Sequence, residues 1–319
     1  MRSRTPAAGS MIIGTGHYRP DRILTNAELE TMVETSDEWI RQRTGIEERH
    51  IAADDQDVAQ LAAEAGRSAL ADADIDPSQV TQVIVATCSN QERSPSAAGR
   101  VAQLLGLAGP AAFDVSAACS GFEHALAVAD MSIRTGASAV TLVIGAEKLS
   151  AVTDYTDRTT CILTADGAGA MVLVPSDEPT ISPVVWGTVT DLADAVVIGP
   201  PHGTFSQQGR QVLGWALREA PTIAQRTVEE AGLSMEDIDV FVPHQANLRM
   251  IEPLAAALGL REDAVVADDI ITSGNTSAAT IPLAISRLRE AGRIPAGATA
   301  LLVGFGGGFS WAGQVVRLP

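Results

Sequence analysis

The apolar positions of this chain fall into short runs and helical stripes that alternate along its length. Residues 11 to 16, MIIGTG, predict a first strand closed by a glycine turn. Asn26 is placed to cap a helix over 27 to 34, and Ser36 a second short helix through Trp39 and Ile40. Residues 57 to 73 repeat apolar positions at helical spacing, and residues 82 to 87 form a continuous run that reads as a buried strand. A helix over 96 to 105 leads to another run at 111 to 115, after which Phe122, Leu126, Ala129 and Ile133 restore the helical period. Residues 140 to 145 are again a strand. Strands that keep alternating with helices predict an α/β protein whose sheets are covered by helices.

The pattern also repeats. VIVATCSN (83 to 90) returns 157 residues later as VFVPHQAN (240 to 247), and TLVIG (141 to 145) returns 159 residues later as ALLVG (300 to 304). Between the members of each pair, a run of small residues opens a helix: SAACSGFEHAL in the first case, SGNTSAATIPLAI in the second. Two sibling halves follow, 1–178 and 179–319, divided in the run SDEPTISP where periodicity breaks. Each half would supply a sheet and a buried helix, with the equivalent helix starts facing one another and a site between them.

Composition narrows the function. A formal charge of −17 excludes general binding to nucleic acid or anionic membranes, which requires basic surface. Hydrophobic residues at 46% with aromatics at only 4% imply a core of Ala, Val, Leu and Ile. Three cysteines without paired spacing make neither a disulfide framework nor a zinc motif, and point to a reduced, cytoplasmic protein whose sequence offers no paired-ligand spacing for a metal. Arg2 and Arg4 precede an apolar run too short for a signal peptide or membrane span, and residues 1 to 9 are expected to be poorly ordered.

Cys119 stands where the run at 111 to 115 gives way to helical spacing, among Ser116, Ala117, Ala118, Ser120 and Gly121. A thiol at a helix start sits among unpaired N–H groups, which favour the thiolate; read alone, it is equally a small buried hydrophobe. His244 follows a buried strand, where an imidazole projects into a cleft or is satisfied structurally. Asn275 precedes a helix as an N-cap or a donor. Gly306, Gly307 and Gly308 follow the last apolar strand, as a tight turn or a close approach to a reacting group. Cys88 and Cys161 read as small core residues, and His17, His50, His124 and His202 as structural or surface histidines.

Taken in order, a cysteine at a helix start, PHQAN, GNTSAA and GFGGGFSWAG resemble the type III β-ketoacyl-acyl carrier protein synthases of the thiolase superfamily. The resemblance runs from about residue 11 to 319 and includes DEWIRQRTGIEERHIA, TDRTTC and ADGAGA. It implies a thiolase-like duplicated αβαβα five-layer fold. It also implies a mechanism: Cys119 takes an acyl group from acyl-CoA, and His244 and Asn275 donate hydrogen bonds to the malonyl carbonyl as CO2 leaves. The N–H groups of Cys119 and Gly307 then hold the oxyanion of the acyl carbonyl, while Phe305 excludes water. Asn275, where extending synthases of this fold carry a second histidine, marks the priming subclass.

The resemblance places coenzyme A with its adenine on Trp39, its phosphates near Arg43 and Arg158, and its pantetheine along Thr44, Gly209, Ala246 and Asn247. It implies a homodimer that works with an acyl carrier protein. Three departures stand out. Ser94 and Thr164 occupy acyl-pocket positions where other members carry aromatics, which predicts a primer larger than acetyl. The loop from about 188 to 209 is short. At the carrier-docking face Arg249 remains, with Arg210, Arg218 and Arg261 nearby, but Gly214, Ala256 and Ala257 replace lysines. The competing readings are an acyltransferase that passes the Cys119 acyl group to a non-malonyl acceptor, and a non-catalytic scaffold.

Overall fold

Two five-stranded sheets with the same strand order carry the molecule. A computed structural model describes residues 6–199 and 203–319. The first sheet orders its strands β1-β7-β6-β4-β5: β1 is Gly9–Tyr18, β4 Gln82–Ala86, β5 Ala111–Val115, β6 Thr141–Lys148 and β7 Asp166–Ser176. The second orders them β12-β11-β13-β14-β8: β8 is Val185–Thr188, β11 Val240–Pro243, β12 Val265–Val266, β13 Thr299–Phe305 and β14 Ser310–Arg317. In each sheet three strands pair in parallel and the remaining two join through successive antiparallel pairings. The order of one maps onto the other strand for strand, as the sequence repeat predicts.

Helices fill the space between and around the sheets. α5 (Gly121–Arg134) and α10 (Thr280–Glu290) form the middle layer, where Phe122, Leu126, Ile281 and Leu288 pack with Ile84 and Val143 of one sheet and Val242 and Leu302 of the other. α3 (Val58–Asp72) and α4 (Ala97–Leu104) cover the first sheet's outer face. α7 (Gly209–Glu230) and α8 (Leu248–Leu258) cover that of the second. Alternating strand positions thus face two different helix layers, which is why the strands read as nearly continuous apolar runs. Five layers result, as the resemblance implies.

Shorter elements finish the chain: strands β2 (Arg22–Thr25) and β3 (Glu48–Ile51), the hairpin β9 (Val196–Gly199) with β10 (Thr204–Gln207), and helices α1 (Asn26–Leu29), α2 (Asp37–Thr44), α6 (Arg158–Cys161) and α9 (Ile270–Ser273). Ser36 caps α2 by accepting from the Trp39 N–H, as expected. Asn26 does not cap α1. Thr25 does, and the buried Asn26 side chain instead donates to Asp37 and Ile46 and accepts from Arg49 at 2.7 Å.

The expectation for residues 1 to 9 needs correction as well. Residues 1 to 5, with Arg2 and Arg4, lie outside the described residues, but Gly9 already pairs with Ser176 and Ala7 packs on the middle-layer core. Among the described residues no helix is long and apolar enough to cross a membrane, and no group of three or more His, Cys, Asp or Glu is placed to hold a metal ion.

Candidate active site

Cys119 lies in a one-turn segment, Ala118–Ser120, that joins β5 to α5. Ala118 holds a left-handed φ of 45°, and Ser277, 159 residues on (118 to 277), holds 47° in the matching turn Ser277–Ala279 before α10. The two turns pack against each other where the sheets' parallel strands end. The site therefore forms at the meeting of two duplicated strand-to-helix turns.

The thiol is not a resting thiolate. Burial pushes it up to about 11, and the buried carboxyls of Glu147 and Glu123 add to the effect; a bond from the Ser277 hydroxyl and the N–H of Gly307 oppose it. Helix α5 begins only at Gly121, and removal of water outweighs what its first turn offers. Gly307 is thus placed beside the sulfur, in keeping with the oxyanion role the resemblance implies.

His244 directly follows β11, with its own N–H on Val303 O at 2.8 Å. Its Nδ1 is 2.8 Å from Thr280 Oγ1, and the Phe305 ring stands edge-on at 6.1 Å. Complete burial lowers its pKa to about 3, so the imidazole is neutral. The Thr280 hydroxyl donates to Ser277 O at 2.9 Å, which leaves its oxygen to accept from Nδ1–H and Nε2 with a lone pair. Asn275 accepts the Ser277 N–H on Oδ1 at 2.8 Å, so the part of its amide left for a ligand is the donor NH2 group. Its cap-like bond and its donor role are compatible.

These three side chains line one cavity of about 440 Å³, which also takes in Phe305, Thr44, Gly209, Ala246 and Asn247. Half-buried Cys119 and buried His244 and Asn275 mark its inner part, and exposed Arg43, Arg210 and Arg249 its outer part. Trp39 also lines it, with the guanidinium groups of Arg43 and Arg158 over its ring at 5.4 and 5.0 Å. Arg158 donates to Glu34 O, and Asn247 accepts from the Arg249 N–H as the cap of α8. Arg261 is held by Asp239 and Asp263, so it adds little free positive charge at the docking face.

A second cavity of about 310 Å³ also reaches Cys119 and Asn275, and the β9–β10 hairpin walls both through Val196 and Phe205. Leu149, Val197 and Ile198 make it largely apolar. Cys88 lines it too, contrary to its reading as a plain core residue: Sγ lies 3.2 Å from a Glu147 carboxyl oxygen and 3.6 Å from Ser277 Oγ. Cys161 is buried as expected. Thr164 is buried against Thr153 Oγ1 at 2.7 Å and Ser94 is exposed; neither lines this cavity. His17 bonds Ser286, His50 bonds Pro20 O, and His124 bonds Ser120 O and stacks on Trp186; His202 lies outside the described residues. Thr280 and Ser277 are the contributors that sequence reasoning missed, although the 159-residue offset pairs Ser277 with the neighbour of the nucleophile.

Comparison with known proteins agrees with this geometry. Residues 113–190 match the family model for 3-oxoacyl-[acyl-carrier-protein] synthase III, and residues 228–318 match the model for its C-terminal part. The chain is 52% identical over 314 residues to β-ketoacyl-[acyl-carrier-protein] synthase III 4 of Streptomyces coelicolor, covering 98% of this chain and 99% of the relative. Among solved structures it resembles the priming β-ketosynthase of the R1128 polyketide pathway, with TM-score 0.94, 38% identity and coverage of 100% and 99%. It also resembles the 3-oxoacyl-[acyl-carrier-protein] synthase III of Aquifex aeolicus, with TM-score 0.92, 40% identity and coverage of 97% and 100%. The chain belongs to the 3-oxoacyl-[acyl-carrier-protein] synthase III family, thiolase-fold acyltransferases that initiate fatty-acid or polyketide synthesis by condensation.

Proposed function

We propose that Cys119 takes the acyl group of an acyl-CoA primer and that the acyl-enzyme condenses with a malonyl group carried on acyl carrier protein. The observation that carries this is the convergence of Cys119, His244 and Asn275 on one cavity, with a second, largely apolar cavity beginning at the same sulfur. Attack forms an Sγ–acyl bond and releases coenzyme A as its thiol. Malonyl-thioester then loses CO2; the carbon–carbon bond's electron pair becomes an enolate whose oxygen meets the Asn275 NH2 and, in its Nε2–H tautomer, His244. The enolate carbon attacks the acyl carbonyl, whose oxyanion the Cys119 and Gly307 N–H groups receive. Cys119 leaves with the electron pair and takes up one proton. Phe305, buried against His244, keeps water from the enolate. No cofactor enters the cycle.

The acyl chain would occupy the 310 Å³ cavity, and its Leu149, Val197 and Ile198 lining supports a primer larger than acetyl, branched or of medium length. Trp39, Arg43 and Arg158 would hold the nucleotide end of coenzyme A, Arg249 and Arg210 would meet the acidic carrier protein, and a homodimer would form along β5. That strand supports the pairing because it is a sheet edge whose residues are no more than half-buried. The halves 1–178 and 179–319 would act as the nucleophile-bearing and the decarboxylating modules of a cytoplasmic enzyme.

Intact-mass measurement after incubation with a panel of acyl-CoAs, followed by malonyl-thioester, tests the reading. The expected result is an adduct on Cys119, strongest with primers longer than acetyl, and CO2 release on the second addition. Acetyl as by far the best primer would sink the size assignment, and adduct without CO2 release would point to transfer to another acceptor.

A further inference from the structure

The Thr280 hydroxyl is in excess of what its own turn needs. Ser277 O accepts the Thr280 backbone N–H, which closes the turn, and also the Thr280 Oγ1–H at 2.9 Å. In the matching turn of the first half, Ala118 O accepts the Gly121 N–H, and Gly121 has no side chain. The same turn, with the same left-handed residue at its start, therefore forms without any hydroxyl. The Thr280 hydroxyl can turn off Ser277 O without leaving that carbonyl unpaired.

What it can turn toward is His244 Nδ1, at 2.8 Å and equally buried. With its hydrogen on Ser277 O, Thr280 accepts from Nδ1–H and Nε2 presents a lone pair, which repels a carbonyl or enolate oxygen. With its hydrogen on Nδ1, the neutral imidazole carries its proton on Nε2 and donates. Burial keeps the ring uncharged in either state, so the donor form comes from a change of tautomer and not from an imidazolium.

We propose that Thr280 is a positioning residue whose hydroxyl rotates from Ser277 O to His244 Nδ1 when the malonyl group binds, holding His244 in the Nε2–H tautomer for decarboxylation; in the change the ring gives its Nδ1 proton to solvent water and takes one from solvent water at Nε2, so its net charge is unchanged. This rests on the reading of His244 as an enolate donor. Ser277 and Asn275 stay in place through the rotation, because the bond between them uses the Ser277 N–H and not its carbonyl.

The test separates the two chemical steps. Thr280→Val keeps the shape and removes the hydroxyl; Thr280→Ala, tolerable because glycine serves in the sibling turn, guards against a packing artefact in the valine variant. Acylation is followed by intact mass, and CO2 release by adding malonyl-thioester to preformed acyl-enzyme. In both variants the maximal rate of CO2 release is expected to fall about tenfold or more, with the malonyl KM and the acylation rate moved far less. Thr280→Ser should restore it, and the Val substitution should cost nothing further in a His244→Ala background. CO2 release at the wild-type rate, or an equal fall in both steps, would overturn the proposal. Absence of CO2 release from the wild-type enzyme would instead overturn the condensing reading beneath it.

Discussion

Ala118 and Ser277 hold the same left-handed backbone, φ 45° and 47°, at equivalent places in the two halves of the fold. Neither is glycine, so each conformation carries strain on the order of 1–3 kcal/mol. At Ala118 the strain serves to present the next residue, Cys119, at the cavity. A β-branched side chain there meets both an unfavourable φ and the crowding of the Gly307 backbone. Ala118→Val is expected to lower unfolding stability by about 2 kcal/mol and to slow acylation of Cys119, read by urea unfolding and adduct mass. Unchanged stability would show that the turn is not strained.

Gly306 is required for space and not for its backbone angle. Its φ of 170° is extended and open to any residue, but a Cβ added there would stand 2.7 Å from Cys119 Sγ. Either the sulfur moves or the chain between β13 and the following turn does. Gly306→Ala should cut the acylation rate by about 10²-fold, the usual effect of displacing a reacting atom by about an ångström. Wild-type adduct formation would mean that the loop yields freely.

The sequence made much of this legible, for physical reasons. The strand runs at 83 and 240 and the 157 to 159 residue offset reflect two sheets with one topology, and a buried strand needs apolar residues on both faces wherever it sits. Cys119 and His244 each stand beside such a run, and Asn275 opens the helix that repeats the one after Cys119, so their placement followed. What depends on distant contacts did not. Asn26 reads as a cap until Arg49, Asp37 and the Ile46 carbonyl claim its amide. Cys88 reads as core until the β9–β10 hairpin, more than a hundred residues on, closes a cavity over it. The state of the Cys119 thiol turns on burial, which no local motif records.

That state sets a pH dependence. With the thiol near 11, the thiolate at neutral pH is a minor species that grows tenfold with each pH unit until the pKa is reached. Alkylation of Cys119 by iodoacetamide should accelerate on that slope from pH 7 through pH 10. His244, neutral down to about 3, should contribute no inflection near 6.5. A rate already level at pH 8 would mean that the helix start and the Gly307 N–H outweigh desolvation.

Glu123, one turn beyond the nucleophile on α5, should make stability fall as pH rises. Both of its carboxyl oxygens are buried without a partner, against the Gly304 backbone, and burial pushes its pKa from 4.5 up to about 8. The folded protein therefore holds a proton that the unfolded chain releases. For a group raised on folding, the associated stability is complete below 4.5, declines through the interval to about 8 and is level above it. Each unit of displacement corresponds to about 1.4 kcal/mol, so the whole decline is on the order of a few kcal/mol. Glu123→Gln removes the titration while keeping the side chain's size. Urea unfolding at pH 4.5, 6 and 8 should find the Gln variant gaining steadily on the wild type; a difference that stays constant across the three would mean that Glu123 does not take up a proton on folding.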